Sequence, residues 1–120
     1  MANEINVSAS LTASKNGITL SQSASKAIDM AGSNLLFATQ LIGTSSETVS
    51  LGEISGAPSA ILIKNLDSTN YVEIGGDSGL TVFKIKIPAG QFAVFQPSSG
   101  TLYAKANTAS VTLSISATEA

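Results

Sequence analysis

The sequence predicts an all-β protein, an antiparallel β-sandwich that is preceded by an N-terminal strand or arm. A jelly roll is one of the strand arrangements compatible with such a sandwich. Apolar and polar residues alternate along short segments of the 120-residue chain, which is the pattern of strands with one buried face. Gly, Pro and Asn separate these segments at intervals of about 8–12 residues. No segment carries the apolar period of an amphipathic helix. Together these three observations favour a sandwich over a βαβ fold.

The first alternating segment covers residues 4–14, with apolar residues from Ile5 onward on one face and Ser, Thr and Asn on the other. The pair Asn16-Gly17 follows, and a second alternating segment begins at Ile18. An Asn-Gly pair between such segments predicts a hairpin, because both residues tolerate positive φ. We expect residues 1–14 to form an N-terminal strand or arm. Residues 15–120 are expected to form a single β-sandwich domain.

The sequence leaves open which partner a terminal strand pairs with. It either completes the sheet of its own molecule or pairs with the exposed edge of a partner. The strand over residues 4–14 is the better candidate for a partner-binding arm, because its own Asn-Gly turn sets it apart.

The remaining strands follow from the same alternation. Leu35–Ile42 is apolar on both faces, which periodicity alone does not assign to a strand or a helix. Its eight-residue length and flanking Gly, Ser and Asn favour a strand. The other predicted strands cover residues 26–30, 48–51, 59–65, 71–75, 82–87, 91–96, 102–106 and 111–116.

The amino-acid composition argues against an enzyme and against a metal site. The chain contains no His, Cys, Trp or Arg, and charged residues make up 12% of it, against roughly 25% in soluble domains. The side chains that most often act in catalysis or ligate transition metals are therefore absent. We expect no enzyme activity, catalytic residue, metal or cofactor. So few charges on a folded chain also favour a homo-oligomer.

The charge pattern also excludes two classes of partner. The net charge is −2 and the six Lys residues are scattered, whereas a nucleic-acid-binding face needs clustered basic residues. The longest apolar stretches fall far short of the ~20 residues needed to span a bilayer. We therefore expect no nucleic-acid partner and no membrane partner. The N-terminus lacks a secretory signal pattern, so synthesis in the cytosol is expected.

Several local motifs imitate functional sites. Residues 76–79, Gly-Asp-Ser-Gly, match the tetrapeptide around the nucleophilic serine of trypsin-like proteases, but no His is present to activate the serine. A Ser–Lys mechanism needs a desolvated Lys, and the chain offers none. Glycoside hydrolysis by paired carboxylates is disfavoured because the chain has no Trp on which a sugar ring can stack. Asp67, Asn70 and Asp77 offer oxygen ligands of the kind Ca²⁺ prefers. Turn formation accounts for the same residues, so we expect no calcium site.

The phenylalanines are expected to pack in the core, although Phe95 also suits a surface that faces a partner subunit. Alternation over residues 82–87 places Phe83 inward with two isoleucines, opposite Lys84 and Lys86. The four residues are Phe37, Phe83, Phe92 and Phe95.

Five residues are the candidate interface positions. Tyr71 and Tyr103 fall on the opposite register from the inward aliphatic residues, and a tyrosine ring with its polar tip suits a half-wet interface. Ile5, Val7 and Ser8 belong to the N-terminal arm and provide apolar contact and uncharged hydrogen bonding.

Three segments resemble small virion proteins of tailed bacteriophages. They are residues 60–75 (Ala-Ile-Leu-Ile-Lys-Asn-Leu-Asp-Ser-Thr-Asn-Tyr-Val-Glu-Ile-Gly), 83–90 (Phe-Lys-Ile-Lys-Ile-Pro-Ala-Gly) and 102–106 (Leu-Tyr-Ala-Lys-Ala). The resemblance covers residues 58–116 and consists of strands and turns, with no active site to transfer.

This resemblance implies a β-sandwich subunit of a virion, assembled in the host cytoplasm. Our first expectation is a capsid decoration (cement) protein that forms a homotrimer and binds the major capsid protein, or another virion protein, through its strands. The alternatives are a tail, baseplate or head-fibre subunit and a receptor- or glycan-binding adhesin module.

Overall fold

A computed structural model describes residues 4–81 and 84–120. The chain divides into two compact units between Ala31 and Gly32. We call the first unit the ribbon and the second the sandwich. Within the described residues, no helix is long and apolar enough to cross a membrane.

The ribbon is one long antiparallel hairpin. Strands β1 (Ile5–Lys15) and β2 (Ile18–Ile28) have 11 residues each and pair without a bulge along their whole length. The connecting residues Asn16 and Gly17 have φ angles of 54° and 78°. Positive φ at both central positions matches the type I′ turn that fits the strand twist. The hairpin predicted from Asn-Gly is confirmed.

The extent of this hairpin changes the domain boundary expected from the sequence. We expected an arm of residues 1–14 and a separate strand over residues 26–30. In the structure β2 is continuous and pairs with all of β1, so the division of the chain falls after Ala31. The reason is that the alternation of residues 18–28 is long enough to match the first strand residue for residue.

Among its described residues, the sandwich contains eight strands in two antiparallel sheets, which confirms the predicted fold class. The first sheet has the order β3-β10-β5-β8 and the second the order β4-β9-β6-β7. The strands are β3 (Leu35–Ile42), β4 (Glu47–Thr48), β5 (Pro58–Asn65), β6 (Val72–Gly75), β7 (Lys84–Ile87), β8 (Phe92–Phe95), β9 (Tyr103–Ala106) and β10 (Val111–Glu119).

The pairing of these strands is nested. Strand β6 pairs with β7, β5 with β8, β4 with β9 and β3 with β10, so successive pairs alternate between the sheets. Two further pairings, β10 with β5 and β6 with β9, complete the sheets. The first and last strands of the sandwich are therefore neighbours.

The core lies between the two sheets and follows the alternation of each strand. On β10, Val111, Leu113, Ile115 and Ala117 are buried, while the intervening residues are half-buried. Val72 of the second sheet belongs to the same apolar cluster. Burying one such aliphatic side chain stabilises a fold by about 1.5–3 kcal/mol, so this layer is the main source of stability.

Most predicted strands lie close to those in the structure, and Leu35–Ile42 is a strand with the predicted bounds. The strand predicted at residues 48–51 is shorter, since β4 covers Glu47–Thr48. The inward Ile85 and Ile87 and the exposed Lys residues of β7 agree with the prediction. Val82 and Phe83 lie outside the described residues.

A buried amide, Asn65, fixes the end of β5. Its Nδ2 donates hydrogen bonds to the carbonyl oxygens of Asn70 at 2.9 Å and Ile87 at 3.0 Å, and its Oδ1 accepts one from the Asp67 amide at 2.9 Å. Its backbone amide also donates to Gln91. Because all these groups are paired, Asn65 joins β5, the following loop and the end of β7 without an unsatisfied polar atom.

A carboxylate, Glu119, holds the start of the sandwich to its last strand. It accepts hydrogen bonds from the backbone amides of Ser33 at 3.0 Å, Asn34 at 3.2 Å and Ser55 at 2.8 Å, and from the Asn34 side chain. A Cβ placed on Gly32 would lie 2.5 Å from its Oε1. Position 32 therefore accepts only glycine if this arrangement is kept.

The same hydrogen bonds alter the acidity of Glu119. The Ser55 amide, followed by the Asn34 side chain and the Ser33 amide, lowers the pKa of Glu119, because donors stabilise the charged form. The Asn70 and Thr69 amides lower the pKa of Asp67 in the same way.

Replacing Asn65 should separate hydrogen bonding from packing. Asn65→Ala is expected to lower the free energy of unfolding by about 2–4 kcal/mol, because one buried and two partly buried backbone groups lose their hydrogen bonds. Asn65→Asp keeps the shape but directs a carboxylate at two carbonyl oxygens, so its loss should be larger at neutral pH. Urea unfolding followed by tyrosine fluorescence, at one protein concentration, measures both. The exposed Asn6→Asp is the control, and equal stability of all three variants would contradict the assigned role.

The lowered pKa of Glu119 predicts a pH dependence. The charged form is favoured in the folded state, so its stabilising effect is present at neutral pH and is lost as the pH falls below about 4. Glu119→Gln should be less stable than the wild type at pH 7 and should lose less stability between pH 7 and pH 3. Urea unfolding across this range tests this, with Glu53→Gln as an exposed control. In Glu119→Gln, Asp67 accounts for part of the pH dependence of the free energy of unfolding that remains. If this free energy falls with pH equally in the wild type and in Glu119→Gln, the prediction is wrong.

Candidate interaction surfaces

The ribbon presents one apolar face. Because opposite residues in a strand pair share a face, Leu11 lies beside Gln22, Ala13 beside Leu20, and Ala9 beside Ala24. We call this side the apolar ribbon face; its members are Ile5, Val7, Ala9, Leu11 and Ala13 of β1 and Ile18, Leu20, Ala24 and Ile28 of β2.

Most of the apolar ribbon face is open to solvent. Leu11 is 62% exposed and Ile18 is 74% exposed, whereas Ile5 is buried and Val7 is half-buried. A two-stranded hairpin by itself is marginally stable in water. The apolar ribbon face is therefore a candidate interaction surface.

The opposite face of the ribbon carries uncharged polar side chains. Ser8 lies beside Ser25, and Thr12 beside Ser21, all of them exposed. The candidate arm residues are therefore divided between the two faces: Ile5 and Val7 lie on the apolar side and Ser8 on the hydroxyl side. The two sides provide different kinds of contact.

The first sheet of the sandwich also has an exposed apolar side. The outward residues of the edge strand β3 include Leu35, Phe37 and Leu41, and Phe92 is outward on the opposite edge strand β8. Phe37 is 78% exposed and Phe92 is 63% exposed. We call the side that bears these four residues the apolar sheet face. Half-buried Ser and Thr residues of β10 lie between its two edges.

The expectation that the phenylalanines pack in the core is wrong for Phe37 and Phe92. Side chains alternate across a strand, and the inward positions of β3 are taken by residues such as Ile42. Only Phe95, on the inward register of β8, packs against the core, as predicted. Phe83 lies outside the described residues.

The second sheet has a charged outer side. Glu73 lies beside Lys86 on one neighbouring strand and Lys105 on the other, and its Oε2 is 3.7 Å from the Lys84 Nζ. The Lys86 Nζ lies 4.4 Å from the centroid of the Tyr71 ring, as a cation–π contact. We call this side the charged sheet face. Exposed ion pairs of this kind add little stability, so the face is a solvated surface.

Both candidate tyrosines belong to the charged sheet face and are half-buried. Tyr71 precedes the buried Val72, and Tyr103 lies beside Gly75 on β6, so both have the outward register predicted for them. Four residues of β6 separate the two positions, about 13 Å along the strand. They are two separate contact points and do not form one aromatic patch.

The motifs that imitate active sites are turns. The Asp77 carboxylate accepts hydrogen bonds from the Thr81 amide at 2.9 Å and from its hydroxyl at 2.8 Å, and Ser78 is exposed between them. Asp67 accepts from the Thr69 and Asn70 amides at 2.9 and 2.6 Å. Across residues 4–81 and 84–120, no three Asp, Glu, His or Cys residues group to hold a metal ion.

We compared the chain with protein-family models, curated proteins and solved structures, and found no match in any of them. The three faces and their chemistry therefore carry the functional argument.

Sequence reasoning missed the apolar sheet face. The signal that marks it is the apolar character of Leu35–Ile42 on both sides. A strand with two apolar sides belongs either in the middle of a covered sheet or at a surface that is covered by a partner. Here it is an edge strand, and its outer side is open.

The exposed and the packed phenylalanine of this sheet should respond differently to truncation. Phe37→Ala is expected to change the free energy of unfolding of the isolated chain by less than about 1 kcal/mol. Phe95→Ala removes a ring that packs against the core and should cost about 2 kcal/mol or more. Urea unfolding of both variants at low protein concentration makes the comparison. A large loss for Phe37→Ala would show that its ring is covered within one molecule.

Proposed function

We propose that this chain is a non-enzymatic structural subunit of a tailed-bacteriophage particle. In this proposal it decorates the capsid as a homotrimer, binds the major capsid protein and resides in the virion. The observation that carries the proposal is the amount of apolar surface left open on a chain with few charges. The resemblance of residues 58–116 to small virion proteins supports the same class.

Large hydrophobic side chains are exposed on both the ribbon and the sandwich. Eight large hydrophobic side chains among the described residues are more than half exposed. Single exposed apolar residues are common on monomers, whereas contiguous patches mark sites of association. In this chain Leu11, Ile18 and Leu20 share the apolar ribbon face, and Leu35, Phe37 and Leu41 share one edge of the apolar sheet face. Phe92 lies on the other edge of that face, beyond β10 and β5.

The nested strand pairs support a jelly roll as the arrangement of the sandwich. The order β3-β10-β5-β8 over β4-β9-β6-β7 is eight strands in two sheets, with pairs that alternate between them. Jelly rolls occur in viral capsid proteins, and in lectins and cupins as well. Because a fold does not fix a function, the exposed faces remain the main support.

The two outer sides of the sandwich differ in polarity, and this difference determines how the proposed subunit is oriented on the capsid. The apolar sheet face turns toward the shell, and the charged sheet face, with its Lys residues and Glu73, turns toward water. Tyr71 and Tyr103 provide contacts to neighbours at the rim. Each contact is modest, but several chains in one subunit bind a lattice with much higher avidity than one chain alone.

The chemistry of the side chains supports a passive role. The chain has no His, Cys or Arg, and the Gly-Asp-Ser-Gly segment is a turn held by Asp77. The proposal therefore includes no cofactor, no nucleic-acid partner and no membrane partner. Attachment by burial of apolar surface is the activity that remains.

Binding to particles tests the proposal. Particles of the phage that encodes the chain, prepared from a deletion of its gene, are mixed with purified protein and sedimented. The wild type should bind in regular stoichiometry and raise the temperature at which the capsids release DNA. Phe37→Asp combined with Phe92→Asp should weaken binding at least tenfold, because each charge must be buried or left unpaired. Lys105→Asp, which makes the same change of two charge units beside Glu73 on the charged sheet face, should bind as the wild type does.

The alternatives give different results. Binding to tails but not to heads supports a tail or baseplate subunit and contradicts decoration. Binding of the isolated protein to a glycan array, without binding to particles, supports an adhesin. Removal of residues 1–31 separates the contribution of the ribbon from that of the apolar sheet face.

A further inference from the structure

We propose that Asn16 is a site of spontaneous covalent modification, at which the side-chain amide becomes a carboxyl group through a cyclic imide formed with Gly17. The inference goes beyond the proposed function and does not depend on it, because it concerns the reactivity of the ribbon turn. The backbone nitrogen of Gly17 is the nucleophile, and water is the co-reactant.

The reaction has two steps. In the first, the Gly17 nitrogen loses its proton to the solvent and bonds to the Asn16 Cγ. The bond between Cγ and Nδ2 breaks, and Nδ2 leaves as ammonia. In the second, water opens the imide at one of its two carbonyl carbons. Attack at Cγ gives aspartate, and attack at the main-chain carbon gives isoaspartate. In sum, one water is consumed and one ammonia is released.

The sequence distinguishes Asn16 from the other asparagines. A side chain on the following residue hinders the approach of that residue's backbone nitrogen, and glycine has no such side chain. Asn16 alone is followed by glycine, whereas Glu, Val, Leu, Tyr or Thr follows each of the others. These others are Asn3, Asn6, Asn34, Asn65, Asn70 and Asn107.

The ribbon turn is open to solvent and sterically free. Asn16 and Gly17 are both exposed, and a Cβ placed on Gly17 would meet nothing within 4 Å. The last pair of the strand ladder is Lys15 with Ile18, so the Gly17 amide lies outside the ladder. The nucleophile is therefore accessible as soon as the turn adopts the reactive geometry.

Two asparagines of the sandwich are held in a different way. The Asn65 side chain is buried and hydrogen-bonded at both of its polar atoms. The Asn34 Nδ2 donates to the Glu53 carbonyl oxygen at 3.1 Å and to the Glu119 carboxylate at 3.2 Å. Attack on either amide must first break these contacts, so folding protects both residues.

The folded turn controls the rate at Asn16. Ring closure requires the Gly17 nitrogen to lie on the same side of the Asn16 Cα–C bond as Cβ. In a type I′ turn the first central residue has a ψ angle of about +30°, which directs that nitrogen away from Cβ. The turn must therefore open before the imide forms. A two-stranded hairpin is marginally stable, and loop tips open at low cost in free energy, so the native ribbon reacts more slowly than the unfolded chain.

The two products affect the ribbon differently. Aspartate at position 16 adds a negative charge beside Lys15 and keeps the turn, because Asp-Gly also suits type I′. Isoaspartate adds one methylene carbon to the main chain of a two-residue loop, which then no longer fits the twist of the two strands. The ribbon therefore loses strand pairing near its turn as isoaspartate accumulates.

Incubation of the full chain at mildly alkaline pH tests the proposal. Peptide mapping by mass spectrometry should show conversion of amide to acid in the peptide that contains Asn16, and an isoaspartate methyltransferase should label the rearranged product. Asn6, exposed on the same ribbon, is the internal control and should remain an amide. Asn16→Gly keeps a residue that tolerates positive φ and should remove the modification. No conversion at Asn16, or equal conversion at Asn6, overturns the proposal.

A reversible cross-link tests the control by turn opening. Ser14 and Thr19 form the pair next to the one that closes the turn, and the chain has no Cys. Ser14→Cys combined with Thr19→Cys therefore allows one disulfide across the ribbon. The oxidised variant should deamidate severalfold more slowly than the same variant after reduction, and wild type unfolded in urea should react fastest. Equal rates in the oxidised and reduced forms, or in the folded and unfolded wild type, overturn this control.

Discussion

The apolar layer between the two sheets is the contact on which the sandwich depends. The chain has no cysteine to form a disulfide, so burial of residues such as Ile63, Ile74 and Ile115 supplies most of its stability. Each strand contributes one side to this layer. The other side remains outside, and in β3 that side is also apolar. Phe37 is therefore exposed because both sides of β3 are apolar and only one of them meets the core.

The ribbon also has one apolar side, but it has no second sheet of its own to cover that side. Its strands alternate as regularly as those of the sandwich, yet the unit comprises a single layer. Hydrogen bonds along the 11 paired residues satisfy the backbone but do not remove Leu11 or Leu20 from water. A one-layer element of this kind keeps one apolar side in water.

Sequence periodicity predicted the strands because alternation and turn chemistry are local properties. Asn16-Gly17 defined its hairpin, and Leu35–Ile42 was located to the residue. The direction of Phe37 and Phe92 was not predictable in this way, since it depends on which side of the sheet meets the second sheet. Glu119 was missed for a related reason: its hydrogen-bond partners at positions 33, 34 and 55 lie far along the chain. Asn65 was missed because its burial and its bond to the Ile87 carbonyl depend on the end of a strand in the second sheet.

The position of β10 has a consequence for the order of folding. Because β10 lies between β3 and β5 in the first sheet, that sheet lacks a central strand until residues 111–119 have been synthesised. The two strands of the ribbon are neighbours in the sequence, and hairpins form within about 1–10 µs, whereas sandwiches with distant strand pairs fold in milliseconds to seconds. The ribbon strands are therefore available for pairing during synthesis, well before the first sheet closes.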